Sequence, residues 1–464
     1  MTLGNATEVQ KAAANLSAAT SGPVFLPGDE GYDEERGGFQ LFGQHLPTVV
    51  VRTHDDADVR AAVTFGAAHG LPVGVQSTGH APAEPAEAGV LISTRQMSGV
   101  RVDPATHSAW LAAGVRWREV IDAAAPHGLA PLSGSAPHVG AIAYTLGGGI
   151  GLLARRHGYA ADHVRSIDVV TADGRSRRVD VQHEPDLFWA LRGGRDNFGI
   201  VTGLEIGLVP VPQFFGGGLY FATELIEDVT RQYLRWTATV PDEMSSSFAV
   251  IPFPPIPALP EPIRGRHVVH VRVAYLGDAR SGDQLVAPLR AIGPRLIDSV
   301  GPMPYDQGGS IYSDPPGPMG YVGSNAMFDE FDESMLRVVL DLAGPAAQTP
   351  CILELRHLGG ALGRPPAVAN AVGHRHARYL LGALSRIGDD DSGARALQQK
   401  LMQAVAPWTT GRCLNFTYGS TTPEQVHATY DTDDLRRLST IKAKYDPSNI
   451  FRLNQNIPPA LGGA

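Results

Sequence analysis

Apolar and polar positions change period along the chain, and each change marks an element. Residues 47–52, PTVVVR, form a continuous apolar run of strand length. Residues 55–70, DDADVRAAVTFGAAHG, switch to helical spacing. Val59, Ala62, Val63 and Ala67 share one face, Asp55 or Asp56 can cap the start, and Gly70 ends it. Strands are expected again at 71–77 (LPVGVQS) and 90–94 (VLIST), then a hairpin of SGVRVD and SAWLAAG turning at Asp103-Pro104. Residues 117–128 read as a short amphipathic helix. In 166–180, Asp173-Gly174 separates two alternating runs, the strongest short hairpin signal in the chain. A helix at PDLFWALRGG and a strand over 199–211 complete an α+β block.

Past Val211 the texture changes. Residues 212–410 carry the Pro-rich stretches IPFPPIPALPEPI (251–263) and DPPGPMG (314–320), alternating strands at 267–277 and 351–360, and a helix at 332–344. This reads as a second α+β domain whose sheet forms one wall of a pocket. The end of the chain, LRRLSTIKAKYDPSNIFRLNQNIPP (435–459), is a helix running into a polar, Asn-rich strand or loop. No internal repeat is visible. The expected organisation is 1–211, 212–410, and a C-terminal segment 411–464.

Composition removes several function classes. Lys plus Arg number 38 against 47 Asp plus Glu, a net charge of −9 spread along the chain, which argues against nucleic acid or an anionic membrane as partner. Two cysteines, Cys351 and Cys413, provide neither a disulfide framework nor a Cys-rich metal site. Residues 1–22 carry no basic leader or signal-length apolar run, and no apolar stretch approaches the roughly eighteen residues of a membrane span, so a cytoplasmic location is expected. His374 and His376 in GHRHARY lie two apart and read as an exposed helix start, not a metal site. His267 and His270 lie on opposite faces of their strand.

The densest glycine run is YTLGGGIGLLARRHG (144–158). Residues 149–154 match the dinucleotide pattern G-x-G-x-x-A, with Asp168 downstream. The following helix is broken by Gly158, however, and Asp168 sits inside a strand, so a Rossmann unit is rejected. Either the glycines admit a phosphate-bearing ligand to the backbone or they form a tight structural turn.

VQSTGH (75–80), GSAPHVG (134–140), TLGGGIG, VVTADG, DLFWALRGGRDNFGIVT (186–202) and KYDPSNIFRLNQNIPP occur in an order that resembles the berberine-bridge-enzyme-like FAD-linked oxidases of the vanillyl-alcohol oxidase superfamily. The resemblance implies a PCMH-type FAD-binding domain of two α/β subdomains plus an α+β substrate domain with an antiparallel sheet. It implies FAD joined covalently to His80, which raises the flavin's appetite for electrons and prevents its loss. Gln76, Ser77, Thr78, Gly79 and Ala81 would cradle the pyrophosphate. Gly148, Gly149 and Gly151 would let FAD lie on the backbone, Ile200 and Val201 would flank the adenine, and Asn454 and Asn456 would reach the ribityl chain or ring edge. Ser135, His138, Val139 and Gly140 belong to the segment that carries a second, cysteine link in many members; here Ala136 takes the cysteine's place, so a single link is expected.

The family's base on the substrate sheet maps to Glu354, on a strand whose desolvation would raise its pKa; a salt bridge to Arg356 is the alternative. The family's Asn-Tyr pair reads Asn415-Phe416, leaving Tyr144 and His138 as further candidates beside the flavin. The expected activity is oxidation of a small organic, secondary-metabolite type of substrate, with hydride passing to flavin N5 and dioxygen as acceptor. Singly linked members include an amine oxidiser and a polyketide-tailoring oxygenase. Oxygenase or cyclase chemistry on a polyketide-like substrate, a non-redox FAD-binding cyclase, and a nicotinamide-dependent dehydrogenase therefore stand as alternatives. Oligomeric state is open, a homodimer being compatible with an enzyme of this size.

Overall fold

The computed structural model describes residues 6–80, 85–388, 390–419 and 421–461. The first apolar runs build a four-stranded sheet in the order Val24–Phe25, Val49–Arg52, Val90–Ser93, Val73–Gln76. Its last three strands are parallel, as βα crossovers require. The crossover helix Asp56–His69 is capped by Asp55, which accepts from the amide of Asp58, and closes on Gly70 at φ 64°.

A five-stranded antiparallel sheet follows, Val100–Asp103, Ser108–Ala112, Ile200–Gly207, Val164–Val170 and Ser176–Val179. Both hairpins turn where the sequence places them. The two sheets and their helices share one apolar core, to which Leu438, Ile441, Ile450, Phe451 and Ile457 of the C-terminal stretch contribute. That stretch is the helix Thr432–Tyr445 and then irregular backbone.

The middle of the chain forms an antiparallel sheet in the order Ile297–Asp298, Gln213–Ala222, His267–Tyr275, Met244–Pro252, Ile352–His357, Tyr379–Arg386, Tyr321–Phe328. Strict alternation gives it two faces. Phe248, Val250, Val269, Val271, Leu353 and Leu355 turn to one side and form a second core with Tyr233, Val286, Val339 and Leu401 from four covering helices. The other face, carrying Tyr220, Arg272, Glu354 and Arg356, turns toward the first half of the chain and lines a cavity. The architecture is α+β, in line with the sequence expectation. No helix among the described residues is long and apolar enough to cross a membrane.

One local expectation is corrected. GHRHARY starts no helix and His374 is not exposed: it is buried at φ 54°, its Nε2 2.9 Å from the carbonyl of Ala428 and its Nδ1 3.5 Å from Asp431. The loop is held by the C-terminal segment, which local periodicity does not register.

Candidate active site

A cavity of about 1100 Å³ lies between the two halves, just above the usual range for a small-molecule site. One wall starts at the turn after strand Val73–Gln76. The carbonyls of Thr78 and Gly79 accept from the amides of Phe39 and Gln40, and the carbonyl of Ser77 accepts from Arg95 Nε. Gly79, at φ 65°, passes so close to Gly38 that a Cβ would stand 2.6 Å from its Cα. Only glycine meets both demands. Among the described contacts, the amides of Thr78, Gly79 and His80 have no protein acceptor.

The His80 ring stacks on Phe39, with centroids 4.0 Å apart, and lies 4.9 Å from the ring of His138. Its Nδ1 is 2.9 Å from Thr78 Oγ1, while Nε2 is buried without a partner. Burial, helped by His138 and Arg116, lowers its pKa to about 3, so the ring is neutral. Burial lowers the pKa of His138 as well. The hydroxyl of Tyr321 donates to the carbonyl of His80 and ties this turn to the substrate sheet.

The opposite wall is charged. Glu354 Oε1 accepts from Arg272 Nη1 at 2.8 Å, and its Oε2 accepts from Arg356 Nε at 3.0 Å. Although burial pushes the carboxyl upward, the two guanidiniums outweigh it and hold the pKa below the ordinary value. This corrects the expected desolvated base: Glu354 is an ionised member of a buried Arg–Glu–Arg trio. The ring of Tyr312 covers Arg272 at 4.3 Å and Arg356 at 5.1 Å.

The remaining expected site residues divide. Gln76, Ser77, Thr78, Gly79, His80, Ser135, His138, Val139, Gly140, Tyr144, Val201 and Asn454 line the cavity. Gln76 also donates to the carbonyls of Arg36 and Gly37, and Ser135 donates to Asp314 at 2.6 Å. Ala81 falls outside the described residues. Ile200 is buried in its sheet, and Asn456, whose Oδ1 is buried without a partner, is not among the lining residues, which include Leu453, Asn454 and Gln455.

The glycine run differs most from expectation. Gly148, Gly149 and Gly151 lie behind the lining. A Cβ at Gly149 would stand 2.5 Å from Tyr144 Cε1, and one at Gly151 2.0 Å from the carbonyl oxygen of Ser133. The close approach that these glycines allow is to protein, chiefly around the ring of Tyr144. The side chain is half-buried, its hydroxyl is buried without a partner, and burial raises its pKa well above the usual value. It therefore stays protonated at neutral pH.

Sequence reading missed Phe39, Arg272, Tyr312 and Tyr418, all of which line the cavity. For Arg272 a signal exists: in HVVHVRVAY, His270 and Arg272 break an otherwise apolar alternation on one face. Phe39 and Tyr312 come from loops and carry no periodic signal.

The comparisons agree with this geometry. Residues 47–180 match the family model described as FAD binding domain, and residues 414–458 match the one described as berberine and berberine like. (R)-6-hydroxynicotine oxidase of Paenarthrobacter nicotinovorans is 28% identical, over 94% of this chain and 97% of its own. Chitooligosaccharide oxidase of Gibberella zeae is 23% identical, over 94% and 92%. Among solved structures, 6-hydroxy-D-nicotine oxidase from Arthrobacter nicotinovorans superposes with a TM-score of 0.80 at 25% identity, covering 94% of this chain and 98% of its own. Xylooligosaccharide oxidase from Myceliophthora thermophila shares the fold, with a TM-score of 0.85 at 20% identity and coverage of 98% and 100%. Fold and matches together define an FAD-dependent oxidoreductase. Within that class the chain carries the FAD-binding and berberine-like domains and is similar along most of its length to the berberine-bridge-enzyme-like FAD-linked oxidases.

Proposed function

We propose that the protein is an FAD-dependent oxidase of a small organic substrate, with FAD attached through His80 alone and dioxygen as electron acceptor. The observation that carries this reading is the state of His80. Its Nε2 is buried and unpartnered at the cavity wall, and the ring is neutral. With Nδ1 donating to Thr78 Oγ1, Nε2 keeps a free lone pair, the form able to bond an electrophilic carbon. Stacking on Phe39 fixes the ring plane.

The surroundings fit the cofactor. Bare amides at 78–80 suit phosphate oxygens, and the unpartnered Oδ1 of Asn454 offers an acceptor from the C-terminal segment. Ala136 lines the cavity, whereas Cys351 and Cys413 are buried outside the lining, which supports one link.

When bound, FAD supplies the hydride acceptor and hands the electron pair to dioxygen. The chain's own residues hold and screen the substrate between the His80 turn and the charged sheet. Glu354 accepts a hydrogen bond from a substrate hydroxyl. Tyr144 stays protonated.

Acid precipitation tests the link. Wild-type protein keeps the yellow chromophore in the pellet, and His80→Ala releases it to the supernatant. Intact mass of His80→Ala equal to polypeptide plus FAD would place the bond elsewhere. Peroxide release across amines, sugars, phenols and organic acids identifies the substrate.

A further inference from the structure

The substrate wall carries more positive charge than its own carboxylate balances. Ser247 pairs across the sheet with Arg272 on one side and Arg356 on the other, which sets the two guanidiniums in one row. Glu354 lies in the next row, between Ala249 and Gly382. Side-chain exposures of 7%, 12% and 16% for Arg272, Arg356 and Glu354 put the trio in a weakly screened place.

Most of each guanidinium is already committed. Arg356 gives Nε and Nη2 to Glu354, while Arg272 gives Nη1 to Glu354 and Nε to His270 Nδ1 at 3.2 Å. His270 stays neutral, its pKa lowered by burial and by Arg272, so it adds no charge. The faces are covered too, by Tyr312 over both and by Phe416 at 4.7 Å from Arg356. What remains are two edges, Arg272 Nη2 and Arg356 Nη1, which have no protein acceptor among the described contacts.

Two guanidiniums against one carboxylate leave one positive charge unbalanced. Arg386 lines the same wall and adds to it. Asp314, on the facing loop, offsets it partly through its field on Arg356, but Asp314 is half-exposed and already accepts from Ser135. The floor between the rows is low. Ala249 is small, and a Cβ at Gly382 would meet nothing within 4 Å. A ligand can therefore descend to the level of the arginine edges.

We propose that this row is a carboxylate-binding subsite and that the substrate is an organic acid, its carboxylate docking edge-on against Arg272 and Arg356. A planar carboxylate matches the fork edges, and its charge completes the neutralisation that Glu354 leaves half done. A substrate ammonium at this level would meet two guanidiniums. The proposal rests on the cavity being the substrate site of the oxidase described above.

The test titrates the purified flavin-bearing protein with benzoate, benzamide and benzylammonium, read by calorimetry and by the flavin absorption band. Benzoate should bind about tenfold or more tighter than benzamide, the scale of hydrogen bonds to charged groups, and benzylammonium weakest. Arg356→Lys, which keeps the charge and loses the fork, should reduce the preference. The double variant Arg356→Gln with Glu354→Gln, which removes a matched pair and leaves no bare carboxylate, should lower the preference further, to what the single guanidinium of Arg272 sustains. Equal binding of benzoate and benzamide, or tighter binding of benzylammonium, overturns the subsite. Protein that purifies without flavin sinks the oxidase reading, while the calorimetric order of the three probes still decides the subsite.

Discussion

Glu354 shows how a single side chain changes role with its partners. On an apolar strand alone, burial would raise its pKa and make it a base. Between Arg272 and Arg356, Coulomb attraction reverses the direction. Glu354→Gln would leave two buried guanidiniums facing each other without their counter-ion. Removing one member of such a set costs about 3–5 kcal/mol, so the variant should melt well below wild type at neutral pH. The pH dependence follows from the sign of the shift. A carboxyl with a depressed folded-state pKa stabilises the fold above its unfolded value of 4.5, and loses that contribution as pH falls through the folded value. Wild type should therefore approach the variant in acid. Melting curves that keep a constant gap from neutral pH to well below 4.5 would show that the trio holds no ionised carboxylate.

At the scale of elements, the C-terminal segment depends on one buried ion pair. Lys442 and Asp446 are both 0% exposed and 2.8 Å apart. Lys442 Nζ also donates to the carbonyls of Asn197 and Phe451, and Asp446 accepts from the amides of Ile450 and Phe451. This network ends the helix Thr432–Tyr445 and folds the chain back so that Leu453, Asn454 and Gln455 reach the cavity. Lys442→Met leaves the buried Asp446 carboxylate without its cation and the carbonyl of Asn197 without its donor, again at a cost of about 3–5 kcal/mol. Combined with His80→Ala, it should speed flavin release, measured as the rise of free-flavin fluorescence. An unchanged release rate would mean that the segment does not hold the cofactor.

The helix and the Asn-rich tail were legible in the sequence, as were both hairpins, the capped crossover helix and the His80 turn, because period, caps and turn residues are local signals. The buried lysine was not, since one Lys in KAKYDPSN looks like any solvated charge. Nor was the packing of Gly149 and Gly151 around Tyr144 and Ser133. A glycine signals that something comes close, and its identity is a matter of tertiary structure.

For the molecule as a whole, the cavity exists only while its two halves stay docked, through an apolar cluster of Ile150, Ala154 and Tyr159 with Met327, Leu358 and Leu380 and through polar contacts around it. Asp162 binds Arg375 at 2.6 Å, and Arg192 donates to the carbonyls of Val368 and Ala369. Arg155 reaches furthest. From the short helix Ala154–His157 its Nε donates to the carbonyl of Met244 at 2.8 Å. Its Nη1 meets the carbonyl of Leu358 and His357 Nε2, and its Nη2 approaches Asp242 at 3.5 Å. His357 is buried, and its pKa falls to about 2 through burial and the charges of Arg155 and Arg378, so it meets Arg155 as a neutral acceptor. Every one of these acceptors belongs to the substrate half. Arg155→Met keeps most of the volume and removes the donors, leaving at least two buried carbonyls unsatisfied at about 1–3 kcal/mol each. Because the lost contacts cross the seam and lie in neither core, docking should weaken before either half unfolds. Calorimetry should then show the wild-type endotherm split into two, since cooperativity between domains rests on their interface. The charged trio at Glu354 keeps all its partners in this variant, so benzoate affinity should fall only as the seam opens on warming. A single endotherm at the wild-type temperature would show that the seam does not depend on Arg155 and that the apolar cluster around Tyr159 and Leu358, with Asp162–Arg375 and Arg192, suffices to hold it.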